Sequence, residues 1–72
     1  MQTFLPIIVR VCQFQWSHPE NIAKVIRENA PEKVRGVLTD EKIVALHAEC
    51  SDHGQLSTKI SDLVISENQK PT

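Results

Sequence analysis

The feature that most constrains the fold is the N-terminal segment, residues 3–16, because it concentrates the large apolar groups of the chain. All three aromatic residues lie in it: Phe4, Phe14 and Trp16. Its β-branched and aromatic content favours a strand over residues 7–16. A helix remains the alternative, because five apolar residues of the segment also fall on one stripe at helical spacing. These are Leu5, Ile8, Val9, Cys12 and Trp16.

After this segment the sequence predicts three to four short helices in a small bundle. Ser17 and Glu20 have the spacing of a capping box, and Pro19 suits a first helical turn. Pro31 ends this helix, since the residue before a proline resists helical geometry. Pro31 can itself begin a short second helix, which Gly36 weakens.

The remaining helices are marked by capping residues. Thr39 is predicted as the N-cap of a helix that runs to about residue 51, with Gly54 as its C-terminal stop. The last helix is expected over residues 56–67. We predict one helical domain, residues 1–68, followed by a disordered tail, residues 69–72. The predicted core of the helices comprises Ile22, Val25, Ile26, Ile43, Leu46, Ile60 and Leu63.

A single strand in such a chain has no partner within the chain, and its unpaired edges are a liability. The simplest partner is the same segment of a second copy, or an edge strand of a larger protein. We therefore expect the first part of the chain to form an association surface. Its predicted protein-binding residues are Ile7, Val9, Val11, Phe14 and Trp16.

The size of the chain supports this expectation. A chain of 72 residues buries only about 60% of its unfolded surface, so small domains usually depend on disulfides, a metal or a second copy. Cys12 and Cys50 are too few for a disulfide scaffold, although a single bridge between them is geometrically possible. Because we find neither a signal peptide nor an apolar run of about 20 residues, we expect a cytoplasmic protein without membrane association.

The charges disfavour nucleic acid as a partner. Eight basic and nine acidic residues give a formal net charge of −1, and the two signs are interspersed. Non-specific affinity for nucleic acid comes mainly from neutralised phosphates, and this chain has no basic block to supply it.

One cluster has ligand-type residues at close spacing: His47, Cys50 and His53. Such residues can bind zinc, but on a continuous helix the outer two diverge by about 120°. The alternative is that Cys50 is a small core residue with His47 half-buried beside it, and that His53 lies near a helix C-terminus. A catalytic cysteine is disfavoured, because Glu49 and Asp52 beside Cys50 oppose thiolate formation.

Two resemblances suggest DNA binding. Residues 46–63, LHAECSDHGQLSTKISDL, resemble the first two helices of winged-helix domains, over about a quarter of the chain. Such domains continue with a recognition helix and a wing, whereas only eight residues follow Val64. A strand followed by helices is also similar to ribbon-helix-helix dimers. Their ribbon presents polar or basic residues to the groove, and here only Arg10, Gln13 and Gln15 qualify.

The sequence thus favours a small, non-enzymatic protein-interaction or regulatory module without a cofactor. We expect it to act as a homodimer or on a larger protein. A DNA-binding regulator of winged-helix or ribbon-helix-helix type is the first alternative, and a small zinc-binding module is the second.

Overall fold

Helices form the whole framework of the chain in the computed structural model, which describes residues 4–70. No strand occurs within these residues. The five helices are α1 (Phe4–Phe14), α2 (Pro19–Asn29), α3 (Glu32–Arg35), α4 (Asp40–Glu49) and α5 (His53–Gln69).

The predicted strand over residues 7–16 is wrong, because most of this segment belongs to α1. Its buried side chains recur at helical rather than alternating spacing, so that a helix places them on one inward face. They are Phe4, Ile8, Val11 and Cys12. Pro6 lies in the first turn, where its missing N–H removes no intrahelical hydrogen bond. The apolar composition therefore reflects burial and not an extended backbone.

This correction removes the argument that the segment must borrow hydrogen bonds from another molecule. A helix satisfies its interior N–H and C=O groups within itself. The ribbon of a ribbon-helix-helix dimer and the wing of a winged-helix domain both need strands. Neither is present among the described residues.

Helix α2 begins and ends near the predicted residues, but its cap differs from the prediction. Its N-cap is His18, no side chain caps it, and Pro19 is its first residue. The predicted capping box of Ser17 and Glu20 is therefore wrong. Pro31 follows the end of α2 and serves as the N-cap of α3, as its restricted φ favours.

Helices α4 and α5 are both capped by side chains. The Lys42 N–H donates to Thr39 Oγ1 over 3.2 Å, which confirms the predicted N-cap of α4. Gly54 is not a stop signal, because it lies in the first turn of α5, where the Gln55 N–H donates to Asp52 Oδ1 over 2.9 Å.

The end of α5 reaches into the predicted tail. Gln69 is its last residue, and the carbonyl of Lys70 accepts a hydrogen bond from Lys33 Nζ over 2.8 Å. Residues 71 and 72 lie outside the described residues. The carboxyl end of α5 is thus held beside α3.

One aliphatic core lies between the helices. Helix α1 packs along α5 and against α2, α2 packs on α4, and α3 packs on α5. The radius of gyration is 11.0 Å, close to the value of about 11 Å for a compact domain of this length. Of the predicted core, Val25 and Leu63 are only partly buried against it, and five residues are buried. These are Ile22, Ile26, Ile43, Leu46 and Ile60.

The length and hydropathy of the helices bear on whether one of them could span a membrane. Within residues 4–70, none is both long enough and apolar enough to cross a membrane.

Candidate protein-binding groove

Helix α1 carries more apolar side chains than the core can bury. Phe14 is 71% exposed and Val9 is 49% exposed, while Ile7 is half-buried. Phe14 is the most exposed large hydrophobic residue among those described. Within residues 4–70, therefore, large apolar side chains of α1 are left uncovered.

A shallow groove of about 200 Å³ lies beside this face, between α1 and α2. It is lined by Ile7, Arg10, Val11, Phe14, Gln15 and Val25. The four α1 residues are spaced at i, i+3, i+4 and i+7, so they form one stripe along two helical turns. We refer to these six residues as the α1/α2 groove.

The two walls of the groove are tied together at one end. Asn21 Nδ2 on α2 donates a hydrogen bond to Gln15 Oε1, just beyond the end of α1, over 3.2 Å. The base of the groove is also fixed by packing, because Val11 is only 7% exposed and Val25 packs against the core. The groove is thus formed by the folded protomer itself.

The groove carries one charge, on Arg10. No carboxylate lines it, and none of the ion pairs within residues 4–70 involves Arg10. The exposed guanidinium is therefore available to an acidic group that approaches along α1.

A second depression, of about 340 Å³, is charge-balanced. It is lined by Glu20, Lys24, Arg27, Glu28, Arg35 and Asp40. Arg27 and Asp40 already pair across it, with Nη1 and Oδ1 3.5 Å apart. Its lining has three basic and three acidic side chains, so its charge favours neither an anionic nor a cationic ligand. Arg27 Nε is buried there without a hydrogen-bond partner, but this single N–H does not change that balance.

The structure separates the five predicted association residues. Ile7, Val11 and Phe14 line the groove, and Val9 is exposed on α1 outside it. Trp16 is instead half-buried and packs against the core of the protomer. The sequence did not predict Arg10, Gln15 or Val25 as part of the association surface. Helical spacing from Ile7 to Phe14 is the signal that could have found Arg10, whereas no local signal placed Val25 of α2 next to it.

Trp16 is held by His47 near the end of α4. The two rings lie 4.2 Å apart between centroids at an interplanar angle of 38°. His47 Nε2 lies 2.8 Å from the carbonyl oxygen of Trp16, so this nitrogen carries the proton and donates it. The Trp16–His47 contact joins the end of α1 to the end of α4.

The three candidate zinc ligands are not brought together within residues 4–70. Within the described part of the chain, no group of three or more histidine, cysteine or acidic side chains could hold a metal ion. His47 contacts Trp16, Cys50 is the half-buried C-cap of α4, and His53 begins α5. His53 was expected near a helix C-terminus, so its assignment was wrong.

Cys12 is fully buried, and its surroundings favour the protonated thiol. Burial, and to a lesser extent the nearby Cys50, raises the pKa of Cys12 from 9.0 to about 11. Because the thiolate is the reactive form, Cys12 is a poor nucleophile at neutral pH.

Neither protein-family models, nor curated proteins, nor solved structures gave a match to this chain. The argument about function therefore depends on the geometry of the groove.

Proposed function

We propose that this chain is a non-enzymatic protein-binding module whose α1/α2 groove accepts an amphipathic helix of a larger protein. The proposal depends on one observation: Phe14, 71% exposed, stands beside an apolar groove in which Arg10 is the one charged lining residue among those described, and Arg10 forms no ion pair with any of them. An isolated exposed apolar residue is common, but an apolar groove with a single charged rim residue is typical of peptide recognition.

The dimensions of the groove suit a helix. Ile7 and Phe14 are two turns apart, which corresponds to a rise of about 10 Å. A partner helix with apolar residues at i, i+3 or i+4, and i+7 presents anchors at the same interval. A carboxylate on the flank of that helix would lie opposite Arg10 and fix its direction by a charge-assisted hydrogen bond.

The positive charge of Arg10 favours a different protein, rather than a second copy of this chain, as the occupant of the α1/α2 groove. A twofold dimer through this face would apply the same patch to itself and would bring the two Arg10 side chains together. The patch has no carboxylate to pair with them. A partner helix with an acidic flank supplies the charge that a second copy lacks.

The test uses a displayed library of amphipathic helical peptides, about 15 residues long, in which one flank position varies between Glu, Gln and Lys. Selection on the folded chain should enrich Glu at this position. Binding of a selected peptide is then measured by NMR titration, which locates the site on the chain, with Phe14→Ala and Arg10→Glu as variants. Val44→Ala is the matched control, because Val44 is 41% exposed on α4 outside the groove.

We expect Phe14→Ala to weaken binding by at least about tenfold, as truncation of a central aromatic anchor does. Val44→Ala should leave the affinity unchanged, and Arg10→Glu should reverse the preference from Glu to Lys. The proposal is wrong if no helical peptide is enriched, or if Phe14→Ala and Val44→Ala bind equally well. A concentration-dependent dimer in sedimentation that Phe14→Ala abolishes would instead assign the groove to a second copy.

A further inference from the structure

The two cysteines each lie one helical turn from the Trp16–His47 contact. Cys12 lies four residues before Trp16, and the Gln15 N–H bond to the Val11 carbonyl extends the helical turn beyond Phe14. The side chains of Cys12 and Trp16 therefore share one face of the N-terminal segment.

The end of α4 repeats this arrangement. Cys50 lies three residues after His47, and its N–H donates to the His47 carbonyl over 3.2 Å. Trp16 and His47 touch, and Cys12 and Cys50 each lie one turn from this contact on their own element.

Burial is consistent with this placement. Cys12 belongs to the core, and the half-buried Cys50 packs against that core. Both cysteines are free thiols. The two residues differ in exposure, because Cys12 is buried and Cys50 is only half-buried.

We propose that Cys12 and Cys50 form an intramolecular disulfide when the folded chain meets hydrogen peroxide, with Cys50 reacting first and Cys12 resolving the intermediate. Neither cysteine lines the α1/α2 groove, so this inference does not rest on the proposed function.

The chemistry has two steps. The Cys50 thiol gives its proton to water, and its sulfur attacks one oxygen of hydrogen peroxide. An S–O bond forms, the O–O bond breaks, and the released hydroxide takes up that proton to become water. The Cys12 sulfur then attacks the Cys50 sulfur, the S–S bond forms, and the S–O bond breaks. The Cys12 proton leaves with that hydroxyl as a second water. Both sulfurs are oxidised, and both peroxide oxygens are reduced.

The raised pKa of Cys12 supports this order of events. A buried, protonated thiol reacts poorly with peroxide in solvent; although it is a weak nucleophile, it can still resolve an intermediate held beside it because that step is intramolecular. The bond would join α1 to the end of α4 and close a long loop. Such a crosslink lowers the conformational entropy of the unfolded chain and thereby stabilises the fold.

The test treats the full chain with hydrogen peroxide at low protein concentration, folded and in urea. In the folded sample we expect a monomer that has lost two hydrogens, and a non-reduced peptide map that joins the Cys12 and Cys50 peptides. Thermal unfolding should shift upwards by at least about 10 °C and return on addition of dithiothreitol. Cys50→Ser should abolish both the mass change and the shift.

The order of reaction is tested by trapping with dimedone, a reagent for sulfenic acid. Cys12→Ala should accumulate the adduct on Cys50, whereas Cys50→Ser should give no adduct on Cys12. The proposal is wrong if peroxide joins two chains through Cys50 or only over-oxidises Cys50. It is equally wrong if the internal bond forms only in urea, since the folded arrangement would then not bring the sulfurs together. These measurements use wild type first, so a poorly folded Cys12→Ala variant would not decide the result.

Discussion

Two adjacent residues of α1 should respond very differently to truncation. Ile8 is fully buried, and Val9 is 49% exposed. We expect Ile8→Ala to destabilise the fold strongly and Val9→Ala to leave it nearly unchanged. The pair tests the rotational setting of α1 on the core, on which both the groove and the cysteine arrangement depend.

The magnitudes follow from burial. Ile8→Ala removes three buried carbon groups, each contributing about 0.8 kcal/mol, and leaves a cavity, so the expected loss is about 2–5 kcal/mol. Val9→Ala removes half-exposed methyl groups, while Ala has the higher helix propensity, so the net change should stay within about 0.5 kcal/mol. A domain of this size has a total stability of roughly 4–11 kcal/mol, and Ile8→Ala therefore removes a large part of it.

Urea unfolding followed by far-UV circular dichroism measures both free energies of unfolding under reducing conditions. If Ile8→Ala is too unstable for a folded baseline, Ile8→Val gives a graded substitute, with an expected loss of about 0.5–1.5 kcal/mol. Similar losses at the two positions, or a larger loss at Val9, would refute the orientation of α1 and with it the α1/α2 groove.

Two further predictions concern the thiol and the helix caps. Since the folded chain raises the pKa of Cys12 from 9.0 to about 11, the stability associated with its protonated form is complete below pH 9.0 and is lost as the pH rises through about 11. Relative to Cys12→Ala, the wild type should lose roughly 2–3 kcal/mol over this interval in reducing urea titrations, and parallel pH profiles would contradict the burial of this thiol. Thr39→Ala and Asp52→Ala should each cost about 1 kcal/mol, because each removes the side chain that caps a helix, whereas Ser17→Ala, at a position that caps nothing, should be neutral in the same unfolding assay.

Sequence alone located the helices after residue 17 because their signals act over a few residues. Pro19 and Pro31 constrain φ at helix starts, and the Thr39 hydroxyl reaches an N–H three residues away. Such signals need no distant neighbour. They misled at the capping box of Ser17 and Glu20, and at Gly54, which suits a helix end but here lies in the first turn of α5.

The conformation and exposed face of α1 were decided by tertiary structure. Its apolar residues suit either a strand or a helix, and composition favoured the strand. Packing against α5 and α2 selects the helix, because a helix pairs its own interior backbone groups while it turns Ile8 and Cys12 inwards. The groove and the Trp16–His47 contact likewise join residues from separate helices, the latter 31 residues apart. Local sequence carries no information about such pairs, because their contact exists only once the helices have packed.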